Sequence, residues 1–120
     1  MDFSNSMNTT VESVRMALGA STLRQQVIAS NISNTASPNH IRMKVVFEER
    51  LTEALSQIQP YEALGAVEAD LLPAGVQGEK VQIDQEMVAM SENTLRYQAL
   101  TKGVSRYLSI ASLIVSGGRG

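Results

Sequence analysis

Hydrophobic residues recur at every third or fourth position through the last third of the chain, from Val81 to Val115. Such steps place residues on one side of a helix, so the pattern predicts a long amphipathic helix over residues 81–116. At 1.5 Å per residue this helix would be roughly 50 Å long, and we expect it to lie along another helix. Its apolar seam consists of Ile83, Met87, Met90, Thr94, Tyr97, Thr101, Val104, Leu108, Ala111 and Val115, and its charged side consists of Asp84, Glu86, Glu92, Arg96, Lys102 and Arg106.

A second long helix is predicted from about residue 11 to residue 33, after a polar stretch, residues 1–10, that we expect to be flexible. Two polar residues, Ser21 and Gln25, lie in the middle of its apolar seam. In a simple coiled coil they would weaken the pairing while fixing its register, and otherwise they would meet polar groups on a neighbour. The seam consists of Val11, Val14, Leu18, Ser21, Gln25, Ile28 and Ile32.

A sharp turn is predicted after this helix, so that residues 11–40 form a helix and a turn. The stretch from Asn31 to His40 is rich in Asn, Ser and Thr. Pro38 disfavours helical geometry at Ser37, and Asn39 tolerates a left-handed turn. The helix should therefore end near Asn34.

The middle of the chain, residues 41–80, has no continuous pattern. Residues 41–47 read as a short extended segment, and Phe47, Leu51, Leu55 and Ile58 have the spacing of a short helix that Pro60 closes. Residues 60–80 predict a loop with weak strand character at 66–72, and residues 117–120 a glycine-rich tail. The prediction is a mainly α fold, in which the N- and C-terminal helices pair as an antiparallel coiled coil with an irregular middle segment.

Composition excludes several classes of function. The net charge is −2 without a basic block, so nucleic acid is not an expected partner. The chain has no cysteine, which excludes disulfides and thiolate metal sites. No stretch approaches the roughly 18 apolar residues of a membrane span. The polar N-terminus does not resemble a cleavable signal peptide, so we expect a cytoplasmic protein unless a route without a cleaved signal exports it.

The chain offers no constellation of catalytic residues. His40, its one histidine, could serve as a base or metal ligand, but no partner motif accompanies it, and we favour a turn residue packed against the helix end. Met87 and Met90 are interpreted as core residues rather than soft-metal ligands. We therefore predict no catalytic residue, cofactor or metal site. Two long seams that are only partly paired favour association instead, and head-to-tail contacts between such seams generate open helical assemblies.

Two segments resemble the bacterial flagellar rod and hook proteins. Residues 29–40, ASNISNTASPNH, are similar to the signature A-N-N-I-A-N-A-x-T-P-G-Y at the end of that family's first helix, with Asn39 and His40 in place of its Gly and Tyr. Residues 81–105 resemble the family's C-terminal helix, above all at Glu86-Met87, Glu92-Asn93 and the stretch 95–100. The form E-N-x-L-x-Y-Q-A, the short chain and the absence of a large inserted domain point to a subunit of the proximal rod.

The resemblance implies a structural subunit that is exported unfolded through the flagellar type III apparatus without a cleaved signal. Its terminal helices would be poorly ordered alone and would pair on assembly into a helical tube. The tube crosses the periplasm as the rod of the basal body and transmits torque from motor to hook. The implied partners are other copies of the chain, neighbouring rod subunits, the ring-adaptor protein FliE at the rod base and the type III export gate.

The resemblance also implies roles for individual residues. The turn motif would be Asn31, Asn34 and Pro38. Subunit packing would fall to Val14, Leu18, Ile28, Ile32, Met87, Met90, Tyr97, Leu100, Val104, Leu108, Ala111 and Val115. The alternative interpretation is a self-contained helical adaptor or export chaperone, which would bury its seams in a discrete monomer or dimer.

Overall fold

The computed structural model describes residues 3–117 and is mainly helical, as predicted. Residues 1–2 of the stretch predicted to be flexible, and residues 118–120 of the predicted tail, lie outside the described part. The elements in chain order are α1 (Phe3–Ser33), β1 (Met43–Val46), α2 (Glu48–Leu55), α3 (Pro60–Ala63), a 3-10 turn (Leu64–Ala66), β2 (Asp70–Pro73) and α4 (Ile83–Gly117).

Helix α1 begins at Phe3, earlier than the predicted start near Val11. The seam extends in this direction, because Met7 and Val11 continue its spacing and both are half-buried. The hydroxyl groups of Thr9 and Thr10 donate to backbone carbonyls four residues earlier, at 2.9 and 3.0 Å, and so find partners inside the helix. A polar stretch is thereby accommodated in a helix.

The middle segment contains more order than its pattern suggests. Strands β1 and β2 form an antiparallel pair in which Met43 lies opposite Pro73 and Val46 opposite Asp70. Pro60, which was expected to close the short helix, instead begins α3, since the first position of a helix does not need the N–H that proline lacks. Helix α2 already ends at Leu55.

A buried hydrophobic cluster joins α1 to the β1–α2 region and consists of Ala20, Val27, Val45 and Phe47. Half-buried residues such as Met16, Leu23 and Leu51 pack around it. Helix α1 thus uses one face for this core and another for α4. The result is an elongated molecule of 65 × 27 × 14 Å, because the two long helices extend beyond the small core.

Candidate functional site

The two terminal helices pair antiparallel, which confirms the predicted arrangement. Ser21 of α1 contacts Asn93 of α4, whereas Asn31, further along α1, contacts Glu86, which lies earlier in α4. The order of contacts along one helix is therefore the reverse of that along the other.

The face that α4 turns toward α1 differs from the predicted seam. Residues Met90, Val104 and Ala111 are buried or half-buried, as a seam requires, whereas Met87 and Leu108 are exposed. The inner face instead includes a column at seven-residue spacing that the seam did not contain: Glu86, Asn93, Leu100 and Tyr107. The prediction places Glu86 on the charged outer side of the helix. This prediction is wrong, because Glu86 is only 4 % exposed.

The residues predicted to pack between subunits therefore fall into two groups in the single chain. The buried or half-buried group is Val14, Leu18, Ile28, Ile32, Met90, Leu100, Val104 and Ala111. The exposed group is Met87, Tyr97, Leu108 and Val115. The exposed group is free to meet another molecule without a rearrangement, and the role of either group in subunit packing stays a prediction.

A central polar cluster lies between the two helices and consists of Ser21, Gln25 and Asn93. The Asn93 side chain is buried, and its Oδ1 atom accepts a hydrogen bond of 2.9 Å from the Ser21 hydroxyl. Its Nδ2 atom donates to the Ser21 carbonyl and to Gln25 Oε1, both at 2.8 Å. Of the two interpretations of these seam residues, the structure therefore supports the one in which they meet polar groups on a neighbouring helix.

A junction polar cluster lies where α1 ends and consists of Asn31, His40, Arg42 and Glu86. Asn31 is 1 % exposed, and its amide binds both backbone groups of Met43: Nδ2 donates to the carbonyl at 2.9 Å and Oδ1 accepts from the N–H at 3.1 Å. The side chain thus takes the place of a neighbouring strand along the outer edge of β1. This contact fixes the strand to the end of α1.

Glu86 connects this junction to α4. Its Oε1 atom accepts a hydrogen bond of 3.1 Å from Arg42, and Asn31 Nδ2 lies 3.5 Å from its Oε2 atom. Arg42 also donates to the carbonyl of Ala74 at 3.2 Å, so one side chain joins α4 to the segment after β2. A buried carboxylate needs such partners, because an unpaired charge in the interior is very costly.

The remaining turn residues complete the junction. His40 Nε2 lies 3.2 Å from Asn31 Oδ1, an acceptor, so this nitrogen donates; the histidine packs at the helix end, as the favoured interpretation expected. Asn34 Nδ2 donates to the Ser30 carbonyl at 2.8 Å.

Pro38 is exposed, and its carbonyl would lie 3.4 Å from a Cβ atom at Gly78, whose φ is +83°. Glycine at that position lets the loop before α4 approach the turn closely.

An ion-pair group on the surface joins three helices. Arg24 of α1 binds Glu48 of α2 through two hydrogen bonds of 2.9 Å, and Arg96 of α4 approaches the same carboxylate at 3.5 Å. Partial burial by itself raises the pKa of Glu48, but the hydrogen bonds from Arg24 and from the backbone, with the charges of both arginines, outweigh it. The pKa of Glu48 therefore lies below its ordinary value.

The last part of α4 carries a distal apolar surface, defined here as Leu108, Ile110, Leu113, Ile114 and Val115, all of which are exposed. At 100° per residue these side chains point to several sides of the helix rather than to one stripe. No charged residue occurs between Arg106 and Gly117. Apart from one side occupied by Ser109, Ser112 and Ser116, the stretch is apolar. A helix surface of that width is normally buried, yet of the apolar residues from Leu108 to Val115 only Ala111 is buried.

Residues 3–117 contain an open groove but neither a metal-binding group nor a membrane-spanning helix. Within them no group of three or more His, Asp or Glu side chains could hold a metal ion. No helix in the described part is long and apolar enough to cross a bilayer. A groove of about 430 Å³ beside the central polar cluster, lined by Thr22, Thr94, Tyr97 and Gln98 among others, is open to solvent.

Comparison with known proteins confirms the resemblance. The chain is 25 % identical over 123 residues to the flagellar basal body rod protein FlgB of Bacillus subtilis (strain 168), covering 92 % of this chain and 95 % of that protein. It is also 25 % identical over 135 residues to the flagellar basal body rod protein FlgB of Borrelia hermsii, covering 92 % of this chain and 98 % of that protein. No model of a protein family matches the chain.

Proposed function

We propose that the chain is a structural subunit of the proximal rod of a bacterial flagellar basal body and that it polymerises through its terminal helices. The similarity to two FlgB proteins, which extends over 92 % of the chain, supports a structural subunit of the basal-body rod. The same relatives support a structural rather than an enzymatic role. Polymerisation and torque transmission go beyond what these relatives support, and we infer them from the pairing of α1 with α4.

The distal apolar surface is the observation that carries the proposal. Leu113 is 71 % exposed and Ile114 is 56 % exposed, at the end of a helix 35 residues long. Exposed apolar residues that lie close together mark interaction sites, and burying them removes apolar area from water at roughly 25 cal/mol per Å². Neighbouring copies or other rod subunits would supply that cover.

The proposed mechanism is mechanical. The central and junction polar clusters hold α1 and α4 to each other inside one subunit, while the distal apolar surface is free to pack against the next. Such a head-to-tail contact repeats without closing and builds a helical tube. Because each subunit spans 65 Å along its long axis, a lattice of overlapping helix pairs would resist twisting and transmit torque from motor to hook.

The route and the neighbours of the subunit belong to the same proposal. We propose export through the flagellar type III apparatus without a cleaved signal and a final position in the periplasmic rod. At the rod base the partners would be the ring-adaptor protein FliE and the export gate. Site-specific photo-crosslinking from Leu113 tests these neighbours directly, since a rod subunit should yield adducts with rod-base proteins.

The main experiment compares two substitutions in the bacterium that encodes the chain. Its gene is deleted and complemented with the unmodified gene, with Leu113→Asp or with Ser112→Asp, a matched control at an exposed neighbouring position. Leu113→Asp should abolish motility and rod formation while the protein is still made, because the charge cannot be buried in a subunit contact. Ser112→Asp should retain more motility than Leu113→Asp. Motile cells carrying Leu113→Asp would contradict the proposal.

A second measurement separates the rod subunit from the helical adaptor or export chaperone. Purified basal bodies from the complemented strain are probed for the chain with an antibody. A rod subunit should be found in the basal bodies, whereas an adaptor or chaperone should stay in the cytoplasmic fraction. Absence from basal bodies that are otherwise complete would favour the alternative.

A further inference from the structure

The central polar cluster lies at a special position in the α1 seam. The seam residues Val14, Leu18, Ser21, Gln25, Ile28 and Ile32 alternate in steps of four and three, which is a strict seven-residue repeat. The two polar members stand in the middle, and the positions seven residues away on either side are all apolar. Asn93 of α4 meets the polar members and bonds to both of them.

The repeat means that α4 could slide along α1 by seven residues, about 10 Å, and still bring seam positions opposite one another. A slide in one direction would place Asn93 against Val14 and Leu18. A slide in the other would place it against Ile28 and Ile32. Either movement would cost the buried Asn93 amide its hydrogen bonds to the Ser21 hydroxyl and to the Gln25 side chain, because the side chains at the displaced positions can neither donate nor accept.

An apolar contact between the two helices would not distinguish the present alignment from the two displaced ones. A leucine at position 93 would pack against any of the three pairs of seam positions if positions 21 and 25 were apolar as well, since each pair would then offer comparable apolar surface. The segment that joins the helices runs from residue 34 to residue 82 and is long enough to follow a slide. In coiled coils a single buried polar residue is known to set register at some expense of stability.

We propose that Asn93, with Ser21 and Gln25, determines the register of α4 against α1 and excludes the two alignments displaced by seven residues. Asn93 is thus a specificity-determining residue for helix pairing, and Ser21 and Gln25 supply the matching hydrogen-bonding groups on α1. The proposal concerns the single chain and does not depend on the proposed rod function.

The absence of native cysteine allows a direct distance measurement. Spin labels are attached at Ala29→Cys and Gly103→Cys, two exposed helical positions; a Cβ atom at Gly103 would have no atom within 4 Å outside its own helix and chain neighbours. The labels lie on opposite sides of Asn93, with a separation along the helices of about 27 Å. A slide by one repeat changes that separation by about 10 Å, which pulsed electron–electron double resonance detects.

The test variant is Ser21→Val/Gln25→Leu/Asn93→Leu, which replaces the cluster by apolar residues and leaves no unpaired polar side chain. It should remain helical but show a second distance displaced by about 10 Å. Thr94→Leu, a control at the next and exposed position, should keep the single distance of the unmodified labelled chain. One unchanged distance in the triple variant would overturn the proposal and would assign the register to the junction polar cluster.

The single variant Asn93→Leu provides the same test if the triple variant loses its helices. Loss of helix content in both, measured by circular dichroism, would overturn the proposal, because the cluster would then supply stability rather than alignment. A broad distribution already in the unmodified labelled chain would also overturn it, since the helices of the single chain would then have no fixed register to determine.

Discussion

The two ends of the α1–α4 pair are held by different kinds of contact. Near the junction, α4 is joined to the rest of the chain by buried hydrogen bonds and an ion pair around Asn31 and Glu86, and Phe47 lies in a core nearby. Toward Gly117 the same helix carries apolar side chains on several sides, and most of them are exposed. One end is fixed within the single chain by polar contacts, although Ile83, Met87 and Val88 are exposed there, while the other consists mostly of exposed apolar side chains.

The difference shows how one helix can serve two purposes. Polar contacts with strict geometry are suited to fixing one arrangement, because each donor must find its acceptor. Apolar contacts are less directional and suit a surface that has to meet more than one neighbour. We therefore expect substitutions near the junction to change the stability of the chain, and substitutions near Gly117 to change its association.

The largest effect is expected at Phe47, which is 2 % exposed. Phe47→Ala should lower the free energy of unfolding by about 4 kcal/mol, because it removes a ring from a packed core and leaves a cavity. Leu113→Ala, at the distal end, should change it by less than about 0.5 kcal/mol. Urea denaturation followed by circular dichroism measures both. Equal losses at the two positions would remove the contrast between the ends.

A smaller loss is expected at Asn31. Asn31→Ala leaves the Met43 N–H and carbonyl and the Glu86 carboxylate with fewer partners, so the free energy of unfolding should fall by about 2–3 kcal/mol. The matched control, Asn34→Ala, removes a hydrogen bond at a more exposed position and should cost less than about 1 kcal/mol. The same urea denaturation experiment measures both losses. A larger loss for Asn34→Ala than for Asn31→Ala would contradict the role of Asn31 in the junction polar cluster.

A gain is expected at Gly103, in the part of α4 where few contacts hold the helix. Gly103→Ala should stabilise the chain by about 1 kcal/mol, because the methyl group meets no atom and alanine has the higher helix propensity. Gly78→Ala, the control, should destabilise it, since φ there is +83°. Thermal unfolding compares the two. A loss at Gly103 would indicate that this glycine is required for packing.

The smallest effect is a dependence on pH through Glu48. Its pKa is lowered in the folded chain, so its contribution to stability is present above the unfolded pKa, near the ordinary value of 4.5. That contribution is lost as the pH falls through the lower folded pKa. The free energy of unfolding, measured between about pH 6 and pH 3, should therefore depend less steeply on pH in Glu48→Gln than in the unmodified chain. In an Arg24→Gln background the same substitution should change the pH dependence much less, and an equal change would contradict the ion-pair assignment.

The sequence predicts the long helices and their antiparallel pairing because a seam of 3–4 spacing is a local signal. For Ser21 and Gln25 it leaves two interpretations open, a register-fixing pair in a simple coiled coil and a pair that meets polar groups on a neighbour. Burial of Glu86 is not predictable in this way, because a carboxylate in the first turn of a helix is typical of a solvated end. Its partners, Arg42 and Asn31, lie 44 and 55 residues away.

The face of α4 is missed for a related reason. The predicted seam includes Thr94 and Thr101, whose methyl groups are apolar, and omits the polar Asn93, which the structure buries. The strand β2 gives a weak signal because it has four residues and ends in a proline. In each case a contact distant in sequence, rather than a local preference, determines the structure.

The distance in sequence between α1 and its partner also has a kinetic consequence. Ser21 and Asn93 are separated by 72 residues, and closing a loop of that length lowers the chain entropy by an amount equivalent to about 4 kcal/mol. Contacts so far apart form slowly compared with local helical turns. A nascent chain, which emerges N-terminus first, therefore reaches the ribosome exit with α1 still lacking its principal partner, and the helix pair can form only after the last third has been synthesised.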